Sequence, residues 1–581
     1  LNFLSCWKLF EETNNDNLSL DFISVEKYPL SCEQLTQALS LWPDLNDYTQ
    51  QLINHYPEIY NGTVQIFFSD KVTLTLIFDD AYKAYSRREQ KIDAWFLDGF
   101  SPSKNCEMWS DNLFDEIGRL SYSTTKNATT IATFTAASLV RKNLIRIGFN
   151  IEKRKGFGKK REMLTGAFLD KTLKYKTTIP AYYSIPSNLS IKDLRVAIVG
   201  SGLAGCAMAY EFAKFGIKSD IYEKNTDIAM GASGNEAGIA HPYLSLDGNV
   251  SDLLFTQGFL QLNKFLKQNE NKIAFHNQPT IVEFNKRKNL TYYEKLLSGR
   301  NISSNIASVI SAGEASKISG IDINESMLLY PSAISINPKE LCQLWLNLSV
   351  GYNQIFFDHQ VLDIKKTNVN WQLIFSSGEI KKYDSVIFAG GYDQFQNLSL
   401  LDDIKVESAG GQVDIIVNSQ LKCTYINSNY FVPLDKNKLL IGATFRPDKD
   451  LSNEFRQQDF NNNMRGLPFG VNKDNSLLFS RASTRCTTLD HLPIIGALPN
   501  FELFESYYKD NIKNGTVDNR MQLCPYHQGL YISSGFGSKG LSGSLLSAQI
   551  IRALILNKNL PICSSIYKAI HPGRFRSRGF R

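Results

Sequence analysis

At 581 residues the chain exceeds what one hydrophobic core sustains, since cores seldom grow beyond about 250 to 300 residues, so a one-domain reading is excluded. Hydrophobic residues make up 43% and charged residues 21%, which excludes a chain that is disordered over most of its length. The formal net charge of +6 admits an anionic partner without requiring one.

The 9 cysteines form no Cys-x-x-Cys pair and the 7 histidines no ligand spacing. No metal site is expected, and reduced thiols point to a cytoplasmic protein. No secretory signal opens the sequence, and the longest apolar run, Val196 to Ala213, is broken by glycines and too short for a membrane span. The chain starts at Leu1 rather than Met, which reads as a fragment or an unusual start.

From residue 18 to 170, strand-like and helix-like stretches alternate: LSLDFISVEK, SCEQLTQALSLW, VTLTLIF, AWFLDGF, TIATFT and AASLVRKNLIRIG. That order predicts one α/β domain over 1–170 with a mostly parallel sheet and right-handed crossovers. Within it, Asp98-Gly99 closes the apolar run AWFL, at the strand end where open α/β sheets keep their ligand crevice. Pro102 and Asn105 would fix the loop that follows. On spacing alone, DGFSPSKN is equally a strand-to-helix turn with a solvated aspartate. The basic run Lys153, Arg154, Lys155, Lys159, Lys160, Arg161 and the later cluster Arg574, Arg576, Arg578, Arg581 read either as phosphate contacts or as solvated or interdomain faces.

Residues 171–192 have two prolines and no period, and read as a linker. A second α/β domain, 193–581, then opens with RVAIVGSGLAG. Here a strand, Gly200-x-Gly202-x-x-Gly205, an amphipathic helix, and a second strand closed by Glu223 follow in order. The glycines let the backbone turn sharply, approach a pyrophosphate and pack helix on sheet. Glu223 stands where an acid takes ribose hydroxyls, so the segment predicts a dinucleotide site. Helical and strand-rich segments run on to about 480, and a glycine-rich turn precedes a long helix at 533–556.

The segments GASGNEAGIAHP (231–242), VIFAGGY, ESAGGQV, TRCTTLDHLPIIG and SSGFGSKGLSGSLLSAQIIRALI, in this order, resemble the D-amino-acid/glycine oxidase family. The resemblance implies FAD rather than NAD. It places Gly231, Ser233 and Gly234 beside the flavin and oxidation at the Cα of a dipolar amino acid. Arg485 and Lys539 are then candidates to hold a substrate carboxylate, with a surface ion pair the alternative for each. Phe536 stands where relatives often carry His, so no acid or base role passes to it.

In the first half, FISVEKYPL, ALSLWPDL, DAWFLDGFSPSKN, EMW, ATFTAASLVRKNL and KRKGFGKKREML resemble the methyltransferase half of the MnmC family of bifunctional tRNA 5-methylaminomethyl-2-thiouridine biosynthesis proteins, whose other half is a flavin oxidoreductase. The fold this implies is α/β throughout. A Rossmann-like class I methyltransferase, truncated at its start, precedes a Rossmann-type FAD domain with an interleaved α+β substrate domain. The implied donor is S-adenosylmethionine, with Glu26 at its ribose, Asp80 near its adenine and Asp98 beside the methyl. The family's glycine loop would lie just before LNFL, so methyl transfer by this chain is in question. Cys106 replaces a proline, and STTKNATT replaces a Pro-Gly-Gly turn.

The implied partner is tRNA, at a wobble uridine carrying a carboxymethylaminomethyl group, with no membrane. Oxidative removal of the carboxymethyl group would precede methylation of the amine left behind. A carboxylate is too weak a base, by roughly 9 kcal/mol, to deprotonate an alkylammonium, so Asp98 is expected to orient the amine rather than strip it. The rival expectations are a sarcosine- or glycine-type amine oxidase with a vestigial N-terminal domain, and an RNA-binding module whose cofactor sites are structural.

Overall fold

The computed structural model describes residues 1–13, 18–69, 71–156, 158, 160–169, 179–187, 193–274, 279–300, 302–417, 420–446, 454–472, 476–516 and 521–579. They form two compact units. The first holds Leu1–Ser184, Val517–Gln522 and Pro561–Tyr567; the second holds Ile185–Thr516, Leu523–Leu560 and Lys568–Arg581. Of the predicted linker, 171–178 and 188–192 lie outside the described residues. Between them Ala181–Tyr183 is a 3₁₀ turn with all three side chains buried, and Ile179 donates its N–H to Glu89 at 3.1 Å. Three residues leave no periodicity for a sequence to display.

In chain order the first unit runs α1 (Asn2–Thr13), β1 (Leu20–Val25), α2 (Cys32–Leu39), α3 (Asn46–His55), β2 (Gly62–Phe67), β3 (Val72–Phe78), α4 (Ala81–Ser86), β4 (Ala94–Leu97), α5 (Asp111–Leu120), β5 (Thr130–Thr133), α6 (Ser138–Arg146), β6 (Phe149–Lys155) and β7 (Glu162–Phe168). Two sheets result, ordered β1-β3-β2 and β4-β5-β7-β6. The expectation of a mostly parallel sheet is corrected. Among the described strands of this unit only β1–β3 and β4–β5 pair in parallel, while β2–β3, β5–β7 and β6–β7 are antiparallel. The reason is local. The charged stretch NIEKRK reads as a solvated run, yet it is an exposed edge strand that folds back on β7 as a hairpin, with Lys155 opposite Glu162. The α5 sequence spaces Leu113, Phe114, Ile117 and Leu120 along one helical face, and these pack with Trp95, Val140 and Leu144.

The second unit is built on a six-stranded sheet in the order Asn353–Phe356, β9 (Ser219–Tyr222), β8 (Val196–Val199), Ser385–Phe388, Tyr526–Ser534, Ile494–Pro499. All pairings are parallel except the last. Helix α7 (Leu203–Ala213) makes the crossover from β8 to β9, as the glycine motif predicts. It is buried almost all round, and the long C-terminal helix Gly540–Ile555 packs beside it. A buried ion pair between Glu211 and Arg552, 3.0 Å apart, ties the two helices. An eight-stranded sheet forms the interleaved substrate region, and among its described pairings only Thr280–Val282/Thr424–Ile426 is parallel. The expected α/β class with an interleaved α+β substrate domain holds.

Buried His571 fixes the C-terminal segment against the strand Tyr526–Ser534. Its Nδ1 accepts from Gly573 N–H at 3.0 Å, which leaves Nε2 as the donor to Tyr526 Oη at 2.8 Å. Burial, then the neighbouring Arg574 charge, pushes its pKa down to about 3. The folded chain therefore keeps His571 neutral at a pH where the unfolded chain protonates it. Its contribution is fully present above about pH 6.5 and is lost below, at up to about 1.4 kcal/mol per pH unit until pH approaches 3. Thermal midpoints measured between pH 7.5 and 5 should fall accordingly, and His571→Gln should flatten the dependence.

No described helix is long and apolar enough to cross a membrane. Among the described residues no group of three or more His, Cys, Asp or Glu side chains is arranged to hold a metal ion.

Candidate functional site

In the first unit the three predicted acids stand at or just beyond the carboxyl ends of strands β1, β3 and β4. Glu26 follows β1 directly, and its N–H donates to Ile77 O of β3 at 2.9 Å. Its carboxylate accepts Tyr28 N–H at 2.8 Å. Asp80 caps α4, accepting from Tyr82 N–H at 3.1 Å and Lys83 N–H at 3.4 Å. Lys27 lies 3.5 Å from Asp80 and 3.9 Å from Glu107, so Glu26 and Asp80 are brought to one rim. Asp98 is exposed on the loop after β4 and accepts from Asn2 Nδ2 at 3.2 Å.

The loop from Asp98 to Asn105 is held from below. Trp109, buried to 4% exposure, donates its indole N–H to Phe100 O at 2.8 Å. Ser101 O receives the N–H groups of Lys104 and Asn105 at 2.9 and 3.0 Å. The rings of Phe96 and Phe100 on either side of Asp98 remain exposed. Two exposed aromatics flanking a carboxylate suit a flat, polar substrate. The STTKNATT turn closes without glycine, because Thr124 Oγ1 accepts Asn127 N–H at 2.9 Å while Thr124 N–H donates to Asn127 O at 2.7 Å.

In the second unit the glycine loop has the cradle that a pyrophosphate needs. Gly200 has φ +103°, and a Cβ there would lie 2.7 Å from Gly390 Cα and 2.8 Å from Ala389 O. A Cβ on Gly205 would lie 1.9 Å from Gly200 O, so helix and strand meet at backbone distance. Gly202 faces Ser233, whose Oγ accepts Leu203 N–H at the α7 N-terminus at 3.1 Å and keeps its own proton for an anion. These residues fit a dinucleotide.

Glu223 is buried, and its four lone-pair sites are met by four protein donors. Oε2 accepts Ser201 N–H and Oγ–H at 3.0 and 2.7 Å, and Oε1 accepts Asn225 N–H and Nδ2–H at 3.0 and 2.6 Å. A ribose hydroxyl would exchange with one of the side-chain donors. Sequence reasoning missed Arg481. Its guanidinium donates to Met230 O, Gly231 O and Asn235 Oδ1 at 2.7, 2.8 and 3.0 Å, clamping the GASGN turn. A Cβ on Gly234 would meet Arg481 Nη2 at 2.5 Å. The chain separation of about 250 residues hid this partnership.

Arg485 lies on the strand Leu477–Thr487, opposite Ala409. A Cβ on neighbouring Gly411 would sit 2.4 Å from Arg485 Nη2, so the glycine of ESAGGQV makes room for the guanidinium. Among the described residues no side chain or carbonyl accepts from that guanidinium. The turn bearing Lys539 packs on the same strand, with Gly537 N–H donating to Cys486 O at 2.8 Å. Lys539 is half-buried with its ammonium 3.9 Å from the Tyr243 ring centroid. Burial, then the nearby Lys288, lowers its pKa to about 8. Phe536 packs on Gly543 of the following helix and serves as a spacer.

The phosphate reading of the C-terminal arginines is corrected. Arg574 is fully buried and pairs with Asp490, Arg576 pairs with Glu505 and Asp403, and Arg578 also pairs with Asp490; Arg581 lies outside the described residues. These charges hold the fold. In the other run, Lys153 pairs with Glu162 and Arg154 with Glu152, Lys160 covers Phe134, and Lys155 and Arg161 are exposed; Lys159 lies outside the described residues.

Residues 43–168 match the family described as S-adenosyl-L-methionine-dependent methyltransferase, and residues 195–554 match that of FAD dependent oxidoreductase. Over its whole length the chain is similar to tRNA 5-methylaminomethyl-2-thiouridine biosynthesis bifunctional proteins MnmC. It is 31% identical to that of Pseudomonas syringae pv. tomato, covering 100% of this chain and 88% of the relative. It is also 31% identical to that of Aliivibrio fischeri, covering 99% and 87%. Among solved structures, glycine oxidase from Geobacillus kaustophilus superposes with TM-score 0.54 at 19% identity, over 66% of this chain and 99% of that one. Iminodiacetate oxidase from Chelativorans sp. BNC1 gives TM-score 0.52 at 18% identity, over 63% and 96%. The last two likenesses establish the fold of the oxidoreductase part.

Proposed function

The chain belongs to the MnmC family of bifunctional tRNA 5-methylaminomethyl-2-thiouridine biosynthesis proteins, and from that premise we propose how its residues divide the work on a wobble uridine of cytoplasmic tRNA. The oxidoreductase unit removes the carboxymethyl group from 5-carboxymethylaminomethyl(-2-thio)uridine, releasing glyoxylate. The methyltransferase unit then methylates the aminomethyl product. The observation that carries this reading is that relatives with both halves match in order along all of the chain.

FAD, when bound, supplies a two-electron acceptor, and S-adenosylmethionine an electrophilic methyl. In the second unit Gly200, Gly202, Gly205 and Ser233 would receive the pyrophosphate of FAD. Glu223 would fix the loop and reach the ribose, and Gly231 and Gly234 form the turn that Arg481 clamps beside it. Arg485 grips the carboxylate of the substrate's N-substituted glycine. Its planar fork suits that group, and among the described residues no carboxylate competes for it. Held there, the CH₂ next to the carboxylate is presented in one orientation, which is the larger part of what a positioning residue contributes.

In the first unit Glu26 and Asp80 hold the ribose and adenine of the methyl donor. Asp98 accepts a hydrogen bond from the neutral aminomethyl group and aims its lone pair, while the faces of Phe96 and Phe100 receive the base. Lys155 and Arg161 on the edge hairpin are available to tRNA phosphates.

Anaerobic mixing of the flavin-loaded chain with tRNA bearing the carboxymethylaminomethyl group should bleach the flavin's visible absorbance and release one equivalent of glyoxylate. Added S-adenosylmethionine should then convert the aminomethyl nucleoside to its methylated form. Arg485→Met should slow bleaching by about 100-fold or more through lost orientation. A flavin that stays oxidised with this tRNA and bleaches with sarcosine would sink the reading in favour of a small-molecule amine oxidase.

A further inference from the structure

A second cationic feature of the oxidoreductase unit joins Lys539, from the late glycine-rich motif, to a lysine that lies in none of the motifs above. Lys288 and Lys539, far apart in sequence, converge on one aromatic ring. The Lys539 ammonium lies 3.9 Å from the Tyr243 centroid and 4.4 Å from that of Phe255. The Lys288 ammonium lies 5.6 Å from the Tyr243 centroid and 5.8 Å from that of Tyr292. Lys288 is set in place by a tight turn, in which its N–H donates to Asn285 Oδ1 at 2.8 Å and its carbonyl accepts Asn285 N–H at 3.1 Å.

Both lysines are half-buried, and among the described residues neither ammonium has a hydrogen-bond acceptor or a carboxylate within ion-pair distance. Asp252 is close enough to Lys288 to act on it electrostatically. Its Oδ2 is met by Arg300 and by the N–H and hydroxyl of Ser245, while its buried Oδ1 makes no hydrogen bond among the described residues. Two partly desolvated like charges beside one ring repel each other, and among the described residues no carboxylate stands within ion-pair distance of either. Burial acts against the charge of both; the nearby Lys288 adds to the effect on Lys539, whereas Asp252 partly offsets it on Lys288.

Which anion would they take? The substrate's carboxylate has a better partner in Arg485, a planar fork for a planar group. A lysine is a compact point charge of the kind that binds tetrahedral phosphate. The surroundings point the same way. Tyr243 and Tyr292 give the region aromatic surface, backed by the stacked pair His241–Tyr330, 4.9 Å apart, of which Tyr330 is buried. A glycine moiety has nothing to lay on such rings, whereas a nucleotide has a base and a sugar. Deepening the tRNA reading above, on which it rests, we propose that Lys288 and Lys539 seat a backbone phosphate next to the modified uridine, with the rings of Tyr243 and Tyr292 carrying the adjoining nucleotide.

The test is equilibrium binding to the flavin-loaded full chain of three probes: the carboxymethylaminomethyl nucleoside, its 3′,5′-bisphosphate, and a fluorescent anticodon stem-loop containing it. The wild type should prefer the bisphosphate over the nucleoside. Lys288→Gln and Lys539→Gln should each cut that preference about tenfold, and should lower the salt dependence of stem-loop binding by about one phosphate contact. Lys288→Arg, which keeps the charge, should restore most of both. Retained flavin absorbance reports that each variant is folded.

A preference unchanged in both glutamine variants would overturn the proposal. So would nucleoside and bisphosphate weakening equally, which would make the lysines carboxylate ligands. Inorganic phosphate binding as tightly as the bisphosphate would reassign the seat to a free anion. Failure of the tRNA reading itself shows separately, as a wild-type flavin that no form of the modified uridine reduces.

Discussion

Gly200→Ala should yield a chain that folds its outer elements but purifies without flavin. The new Cβ would stand 2.7 to 2.9 Å from Gly390 Cα, Ala389 O and Ala389 C, all of them backbone atoms of the neighbouring strand's end. No rotamer relieves such a contact; the loop or the strand has to move. The residue also sits at φ +103°, where an L side chain is strained whatever the space. Overpacking of this kind costs about 1–3 kcal/mol and the backbone strain a further 1–3.

The displacement would fall where function is most sensitive. Gly200 N–H donates to Tyr222 O at 2.8 Å, and the next residue, Ser201, is bound through both its N–H and its hydroxyl to Glu223. Shifting Gly200 therefore misplaces the α7 N-terminus and the acid together, the two features that face a pyrophosphate and a ribose. Absorbance of the purified protein near the flavin's visible maximum, with circular dichroism for folding, checks this. Gly313→Ala is the matching control, because a Cβ there meets nothing within 4 Å. Full flavin occupancy in Gly200→Ala would mean that the loop is not the cradle.

The same contrast shows what a linear reading reaches. Gly200, Gly202, Gly205 and Glu223 were legible because a strand, a tight turn and a helix N-terminus are local, and their spacing is fixed by backbone geometry. Asp98 was legible as the end of an apolar strand, and family resemblance supplied the role proposed for it. Arg481 was not legible, since its value lies in carbonyls on a turn about 250 residues earlier. Lys288 was invisible for the same reason, because Tyr243 joins it to Lys539 only in three dimensions.

Charge runs left two readings open. Arginines at 574, 576 and 578 look like an RNA-binding tail, and the sequence carries no sign that Asp490, Glu505 and Asp403 wait for them. The β6 hairpin was missed because solvated charges on an edge strand mask its alternation. Between Thr133 and Leu164 the sheet turns antiparallel for reasons of pairing that no single segment records.

The C-terminal arginines give the second large effect. Asp490→Ala should destabilise the oxidoreductase unit by about 3 kcal/mol or more, because it strands a charge with nowhere to go. Arg574 is fully buried, and Asp490 meets it with both oxygens, from Nε and Nη2, each at 3.0 Å, while Arg578 adds a third contact at 2.6 Å. Burial alone would raise the carboxyl's pKa, but the hydrogen bonds and charge of Arg574 and Arg578 outweigh it and hold the group well below the usual carboxylate range. The pair therefore stays intact above about pH 4 and weakens only as pH falls through that lowered value.

Removing one member of a buried pair typically costs about 3–5 kcal/mol, whereas replacing both by apolar residues is often close to neutral. The double variant Asp490→Leu with Arg574→Met should accordingly recover much of the loss, and urea unfolding of the two singles and the double would measure the coupling. The consequence reaches the site. Asp490 lies five residues after Arg485, and Thr488 donates its hydroxyl to Asp490 at 3.0 Å and to Leu492 O at 2.7 Å, closing the turn that ends this strand. A loosened turn lets Arg485 wander over Gly411, so Asp490→Ala should also raise KM for the carboxylate-bearing substrate. Near-equal stability of Asp490→Ala and wild type would show that the arginines are satisfied without it.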